Sequence, residues 1–276
     1  MRRNFLGNLA AGIQKRFKTL LESPKGELSL NWLTTKYYKH LPAGKIRKRS
    51  LFGKTLYFSS PGELLHGFHE IFTEQIYKQS LPDRSYIIDC GANIGLSVIY
   101  MKRLCPTAQI LAFEPDERNF SLLMKNIGSF GLKDVDIRRE AVWKENTVLH
   151  FSDEGAMASK IESSQTEQSR EITGIRLKDL LTRSVDFLKI DIEGAEFEVM
   201  KDISSSLHFV KNLFIEYHGS FGKTSELSEL LGLISSHQFE YYIKEAAPVY
   251  ETPFYRPPGK SVPYDVQLNL FCFRLP

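Results

Sequence analysis

The chain has 276 residues, 42% hydrophobic and 25% charged, an ordinary balance for a soluble protein with one main domain and an extension. No apolar run approaches the ~20 residues needed to cross a bilayer, and Met1-Arg2-Arg3 is not followed by the apolar stretch of a cleaved leader. The net charge of +3 is unevenly spread: residues 1–54 hold thirteen Lys/Arg against two Glu, a net +11, which leaves the rest at −8.

Residues 4–21 place Phe5, Leu6, Leu9, Ile13, Phe17, Leu20 and Leu21 at helical spacing, with basic residues between them. This amphipathic helix, over about residues 2–21, either lies peripherally on an anionic membrane or docks on its own protein or a second copy in a homo-oligomer. Residues 45–58 read as a β-hairpin turning at Gly53, and residues 61–79 as a helix with Pro61 early. Residues 1–84 are therefore expected to form an α+β cap, and residues 85–276 the catalytic-type core.

From Ser85 strands and helices alternate, which implies an α/β core with a parallel sheet and right-handed crossovers. Strands are expected at 86–90, 109–113, 135–139, 186–190 and 212–216, with helices at 95–104, 117–129, 195–202 and 224–237. Residues 147–151 and 158–162 suggest a hairpin, 163–171 a polar loop and 176–182 a short helix. The last strands, 239–244 and 265–273, are expected to close the sheet as an antiparallel hairpin. Cys90, Cys105 and Cys272 are scattered and odd in number, which suggests a reducing, cytoplasmic compartment and no metal cluster. Cys90, ending a buried strand, reads as core packing.

The first core strand ends in Asp89-Cys90-Gly91-Ala92-Asn93-Ile94-Gly95, a D-x-G-x-N-x-G turn into a helix. The next strand ends in Glu114-Pro115-Asp116, and an acid there can accept both hydroxyls of a ribose. A dinucleotide fingerprint would need a third glycine, and Asp89 would repel a pyrophosphate. S-adenosylmethionine fits better: it has a ribose and adenine, no phosphate, and an ammonium beside its sulfonium. An NAD-dependent oxidoreductase is disfavoured on the same grounds. A βα turn with no ligand, or a scaffold module that has lost turnover, is the non-enzymatic reading. The basic 45–54 cluster lacks a recognisable nucleic-acid module, so no nucleic-acid partner is expected.

The runs Ile88 to Gly95, Phe113-Glu114-Pro115, Asp186-Phe187-Leu188-Lys189-Ile190-Asp191-Ile192-Glu193-Gly194-Ala195-Glu196 and Ile215-Glu216-Tyr217-His218 resemble the FkbM family of S-adenosylmethionine-dependent methyltransferases. The resemblance covers roughly residues 85–275, and the K-I-D-I-E-G-A-E run is its most specific part. It implies a Rossmann-like class I methyltransferase fold with a seven-stranded sheet. It also implies O-methylation of a small-molecule acceptor such as a sugar, glycan or secondary metabolite. Carried over by motif, Gly91, Asn93 and Gly95 would form the cofactor loop, with Asp89 toward the methionine end. Glu114 would hold the ribose, and Glu140 and Ala141 would flank adenine. Asp191 would stand near the transferred methyl.

A hydroxyl is a poor nucleophile while protonated, so a general base is expected. Candidates are Asp191, Glu193, Glu196, Glu216 and His218, with His218 or Asp191 favoured as base and Glu216 as an orienting group. A divalent metal held by Asp191, Glu216 and His218 is a second arrangement of the same groups. Simpler readings stand beside these. Glu193 and Glu196 can charge a helix start, Glu196 can pair with Lys189, and His218 can be a solvated loop residue. Tyr241, Tyr242, Tyr250 and Tyr255 can stack on a sugar or simply pack.

Overall fold

The computed structural model describes residues 32–152, 169–256 and 262–275. The basic helix expected over residues 2–21, and the strand expected over 158–162, lie outside them. The chain divides into two compact units between Lys78 and Gln79.

The first unit begins with helix α1 (Trp32–Lys39) and the hairpin β1 (Arg47–Leu51) and β2 (Lys54–Phe58). Phe52 and Gly53 both take positive φ, 52° and 70°, the two-residue turn whose twist matches antiparallel strands. Helix α2 (Pro61–Phe68) starts where Ser60 accepts the Glu63 amide and Pro61 presets the first turn. It runs on as a wide π-turn to Thr73 and stops short of the expected residue 79. The Glu74 amide reaches back to the His69 carbonyl, and Gln75 then adopts a left-handed φ of 54° that ends the helix. Leu56, Phe58, Leu64, Phe68 and Phe72 are buried.

The second unit is the expected α/β core. Its strands are β3 (Tyr86–Cys90), β4 (Gln109–Phe113), β5 (Val135–Arg138), β9 (Val185–Ile190), β10 (Val210–Gly219), β11 (Glu240–Glu245) and β12 (Val266–Phe273). They form one seven-stranded sheet in the order β11-β12-β10-β9-β3-β4-β5. Pairing is parallel from β10 through β5, whereas β12 inserts antiparallel between β10 and β11. This is the Rossmann-like class I methyltransferase topology. The central strands read as apolar runs because they are covered on both faces. Ile87, Ile88, Ile190 and Ile215 are all buried, each contributing about 1.5–3 kcal/mol by burial. Cys90 is buried too, and burial pushes its thiol up, as expected of a packing residue.

Helices α3 (Leu96–Leu104), α4 (Glu117–Phe130), α5 (Glu196–Ile203) and α6 (Thr224–Ser236) complete the crossovers. Asp116 caps α4 by accepting the Asn119 amide, and Gly131 closes it in the left-handed conformation. A separate three-stranded sheet holds β6 (Ala141–Trp143), β7 (Thr147–Ser152) and β8 (Ser169–Arg176) in the order β6-β8-β7. Here the sequence reading needs correction: β7 pairs antiparallel with β8, Thr147 opposite Gly174. The end of the stretch read as polar loop is thus strand, because alternation in Glu171-Ile172-Thr173 is short and one-sided. Among the described residues no helix is long and apolar enough to cross a membrane.

Strand order reverses between β3 and β9: β4 and β5 lie on one side of β3, β9 and β10 on the other. Open α/β sheets form their ligand crevice at such a point, outside the carboxyl ends of the strands.

Candidate active site

The loop from β3 to α3 is shaped by glycines and anchored to both neighbouring strands. The Gly91 and Ala92 amides both donate to the Phe113 carbonyl at the end of β4, at 3.0 and 2.8 Å. Gly91 has φ 90°, and a Cβ there would lie 1.8 Å from the Asp191 carbonyl oxygen, so the loop passes β9 only without a side chain. Asn93, at φ 48°, uses its side-chain oxygen to accept the Ile94 amide at 2.7 Å. Its own amide donates to Glu114 Oε2 at 2.7 Å, and the Asp116 amide donates to Glu114 Oε1 at 2.9 Å. Glu114 is thereby fixed against the loop. Burial pushes its carboxyl up to about 8, against the downward pull of those two backbone amides and of Lys189.

Asp89 is buried, and its Oδ2 accepts the Ser97 hydroxyl at 2.5 Å. Its Oδ1 stands 3.3 Å from the Lys189 ammonium, out of line for a hydrogen bond. Lys189, from β9, is also buried; it reaches Asp191 Oδ2 at 3.1 Å and donates to the Gly91 carbonyl at 2.8 Å. The ammonium therefore clasps the ends of β3 and β9. This replaces the expected Lys189–Glu196 pair.

Glu196 serves a different end. The turn after β9 bends through Glu193 (φ 55°) and Gly194 (φ 99°), and Glu196 Oε1 accepts the Ile192 and Gly194 amides at 3.1 and 3.0 Å. The same Oε1 lies 3.1 Å from His218 Nδ1. Glu216 and His218, two apart on β10, face the same side of the sheet. The His218 side chain is 3% exposed, so it is not a solvated loop residue. Its Nε2 lies 3.6 Å from Glu193 Oε2 and 3.7 Å from Glu216 Oε1.

Burial alone would lower the His218 pKa. The hydrogen bond to Glu196 and the charges of Glu196, Glu193 and Asp191 outweigh it and push the imidazole up to about 10. At neutral pH, His218 therefore holds its proton and stabilises neighbouring anions; it is not positioned to accept a proton. Burial raises Glu193, which His218 partly offsets.

Tyr264 was not anticipated. Its hydroxyl donates to the Glu193 carbonyl at 2.5 Å and its ring lies 4.7 Å from His218. It follows a proline near the end of the chain, with no local pattern to mark it. Of the tyrosines considered for stacking, Tyr241 and Tyr242 lie exposed on the outer strand β11, and Tyr255 is exposed. Tyr250 donates to Asp265 at 2.6 Å and stacks with Phe221 at 5.8 Å, just beyond the end of β10.

The residues suit a nucleoside without phosphates. Lys189 is consumed by two carboxylates, so it offers no free charge to a pyrophosphate. Among the described residues, two buried carboxylate oxygens lack a hydrogen bond: Glu140 Oε2, and Asp89 Oδ1, whose one neighbour is the Lys189 ammonium of its ion pair. They stand at the ends of the first and third core strands, available to a donor-bearing ligand. Ala141 follows Glu140 as the buried first residue of β6. A groove of about 730 Å³ lined by Lys144, Arg176, Glu198 and Asp202 shares no residue with this cluster. Four of its charged residues pair with one another, Lys144 with Glu198 and Arg176 with Asp202.

The sequence model of the methyltransferase FkbM domain matches residues 89–241. Methyltransferase 1 of Beauveria bassiana is 27% identical over 197 residues, covering 61% of this chain and 78% of that protein. The 31-O-demethyl-FK506 methyltransferase FkbM of Streptomyces tacrolimicus is 23% identical over 226 residues, covering 68% and 86%. Among solved structures, the methyltransferase FkbM of Methylobacillus flagellatus superposes with a TM-score of 0.47 at 14% identity, over 77% of this chain and 54% of that one.

Proposed function

The chain belongs to the FkbM methyltransferase family, and from that premise we propose that it methylates a hydroxyl oxygen of a sugar, glycan or secondary metabolite, using S-adenosylmethionine. When bound, that cofactor supplies an electrophilic methyl group on a sulfonium. Asp89 and the Gly91–Gly95 loop would hold its methionine end, Glu114 its ribose, and Glu140 with Ala141 its adenine. The observation that carries the reading is the acid-rich cluster around His218, joined to this loop through Lys189 and Asp191.

The chain's residues divide the remaining work. Glu216 accepts the proton of the acceptor hydroxyl, a step worth about 10²–10⁴ in rate. His218, charged and fixed by Glu196, stabilises the carboxylates beside it. Asp191, held by Lys189, fixes the position of the turn that carries Glu193. Phe221 and Tyr250, stacked beside the end of β10, offer an aromatic wall to a sugar face. O-methylation accords with the Streptomyces relative, a 31-O-demethyl-FK506 methyltransferase.

The test is incubation with methyl-labelled S-adenosylmethionine and a pool of hydroxylated metabolites and glycans. The label is expected in a product that survives mild alkali, as a methyl ether does. Label released by alkali marks a methyl ester and refutes hydroxyl transfer.

A further inference from the structure

We propose that Asp191, Glu193 and His218 form a binding site for one divalent cation of the Mg²⁺ or Mn²⁺ class. Their ligand atoms all lie within 4.8 Å of one another. Donors around one such ion, at about 2.1 Å from it, stand about 3 Å apart when adjacent and about 4.2 Å apart when opposite. The cluster needs only a small contraction to close on a cation. Two carboxylates and one imidazole suit Mn²⁺ and Mg²⁺ rather than a thiolate-seeking metal.

The independent sign is the orientation of His218. Its side chain is 3% exposed, and Nδ1 is held by Glu196, itself 1% exposed. Nε2 is therefore aimed at the carboxylates, yet Glu193 and Glu216 stay at 3.6 and 3.7 Å, too far for hydrogen bonds. A buried carboxylate holding one imidazole nitrogen while the other faces an oxygen-rich gap is the usual arrangement behind a metal-binding histidine. Glu196 is the orienting group; the cation would displace the proton that His218 otherwise carries on Nε2 and take over its role of stabilising the carboxylates, while Glu216 remains beside the ion to take the acceptor's proton. A cation here would bind the acceptor oxygen and acidify its hydroxyl. That role rests on the proposed hydroxyl transfer, whereas cation binding does not.

The experiment is electron paramagnetic titration of the chelator-treated full chain with Mn²⁺, beside S-adenosylhomocysteine binding on the same sample. One equivalent of Mn²⁺ should vanish from the free-ion signal. Asp191→Asn and Glu193→Gln should each weaken Mn²⁺ at least tenfold, with circular dichroism unchanged. Glu193 is 41% exposed in its side chain, so Glu193→Gln is the variant safest for folding. No Mn²⁺ uptake, or uptake unchanged in both variants, overturns the site. If S-adenosylhomocysteine binds while Mn²⁺ does not, the cation inference fails and the methyltransferase reading stands. Mn²⁺ uptake without S-adenosylhomocysteine binding supports the cation site and sinks the cofactor assignment.

Discussion

Lys189→Met is expected to destabilise the fold by about 3–5 kcal/mol in urea unfolding at neutral pH, the usual cost of removing one partner of a buried ion pair. Methionine fills similar volume, so the loss comes from charge and hydrogen bonding. Asp89, already buried, would lose its cation, Asp191 its ion-pair partner, and the Gly91 carbonyl its donor at 2.8 Å. The ends of β3 and β9 would be left with two facing carboxylates, in the loop assigned to the cofactor. Lys211→Met is the control. Lys211 also pairs with a carboxylate, Asp186 at 2.6 Å, but its side chain is 59% exposed. Exposed pairs contribute about 0–1 kcal/mol. Equal losses in the two variants would show that the buried clasp has no special role.

Glu216→Gln is expected to lower turnover by about 10²–10⁴ while leaving S-adenosylhomocysteine affinity within a few-fold. The amide keeps the shape of the carboxylate and cannot take the hydroxyl proton. Glu216 lies on β10, and the groups assigned to the cofactor lie on β3, β4 and the turn before β6, so the split between turnover and affinity is diagnostic. A variant with wild-type turnover would remove Glu216 from the chemistry. One that lost cofactor affinity in proportion would make Glu216 a structural residue.

Much of this architecture is legible in the sequence because the core strands are buried on both faces. Ile87-Ile88 and Phe187-Leu188 stand out as apolar runs, and each ends in an acid close to a glycine. The D-x-G-x-N-x-G turn is legible for the same reason: Gly91 is demanded by the passing Asp191 carbonyl. What is less legible depends on neighbours distant in sequence. Lys189 visibly needed a partner, but Glu196, seven residues on, was the local choice, and Asp89, one hundred residues back, is among the actual ones. His218 stands out in the run Glu216-Tyr217-His218, yet its protonation is set by Glu196 and Glu193 on another segment. Glu193, a candidate base that equally fits a charged helix start, sits in a left-handed turn that leaves no mark but the following Gly194. Strand β8 was missed because its register with β7 is fixed across a long connection.

In the proposed assignment, the carboxyl ends of β3 and β4 hold a ribose on Glu114 and no pyrophosphate. The most direct measurement is calorimetric titration with S-adenosylhomocysteine at pH 6 and pH 9, with NAD in parallel. Ribose hydroxyls donate hydrogen bonds, so they favour the ionised carboxylate. The free Glu114 carboxyl is raised to about 8 by burial, so below that pH binding must release its proton. Affinity should therefore rise by roughly tenfold per unit up to about pH 8 and level off above it. NAD should not bind at either pH. Binding of NAD, or failure of S-adenosylhomocysteine to bind at pH 9, would contradict the account.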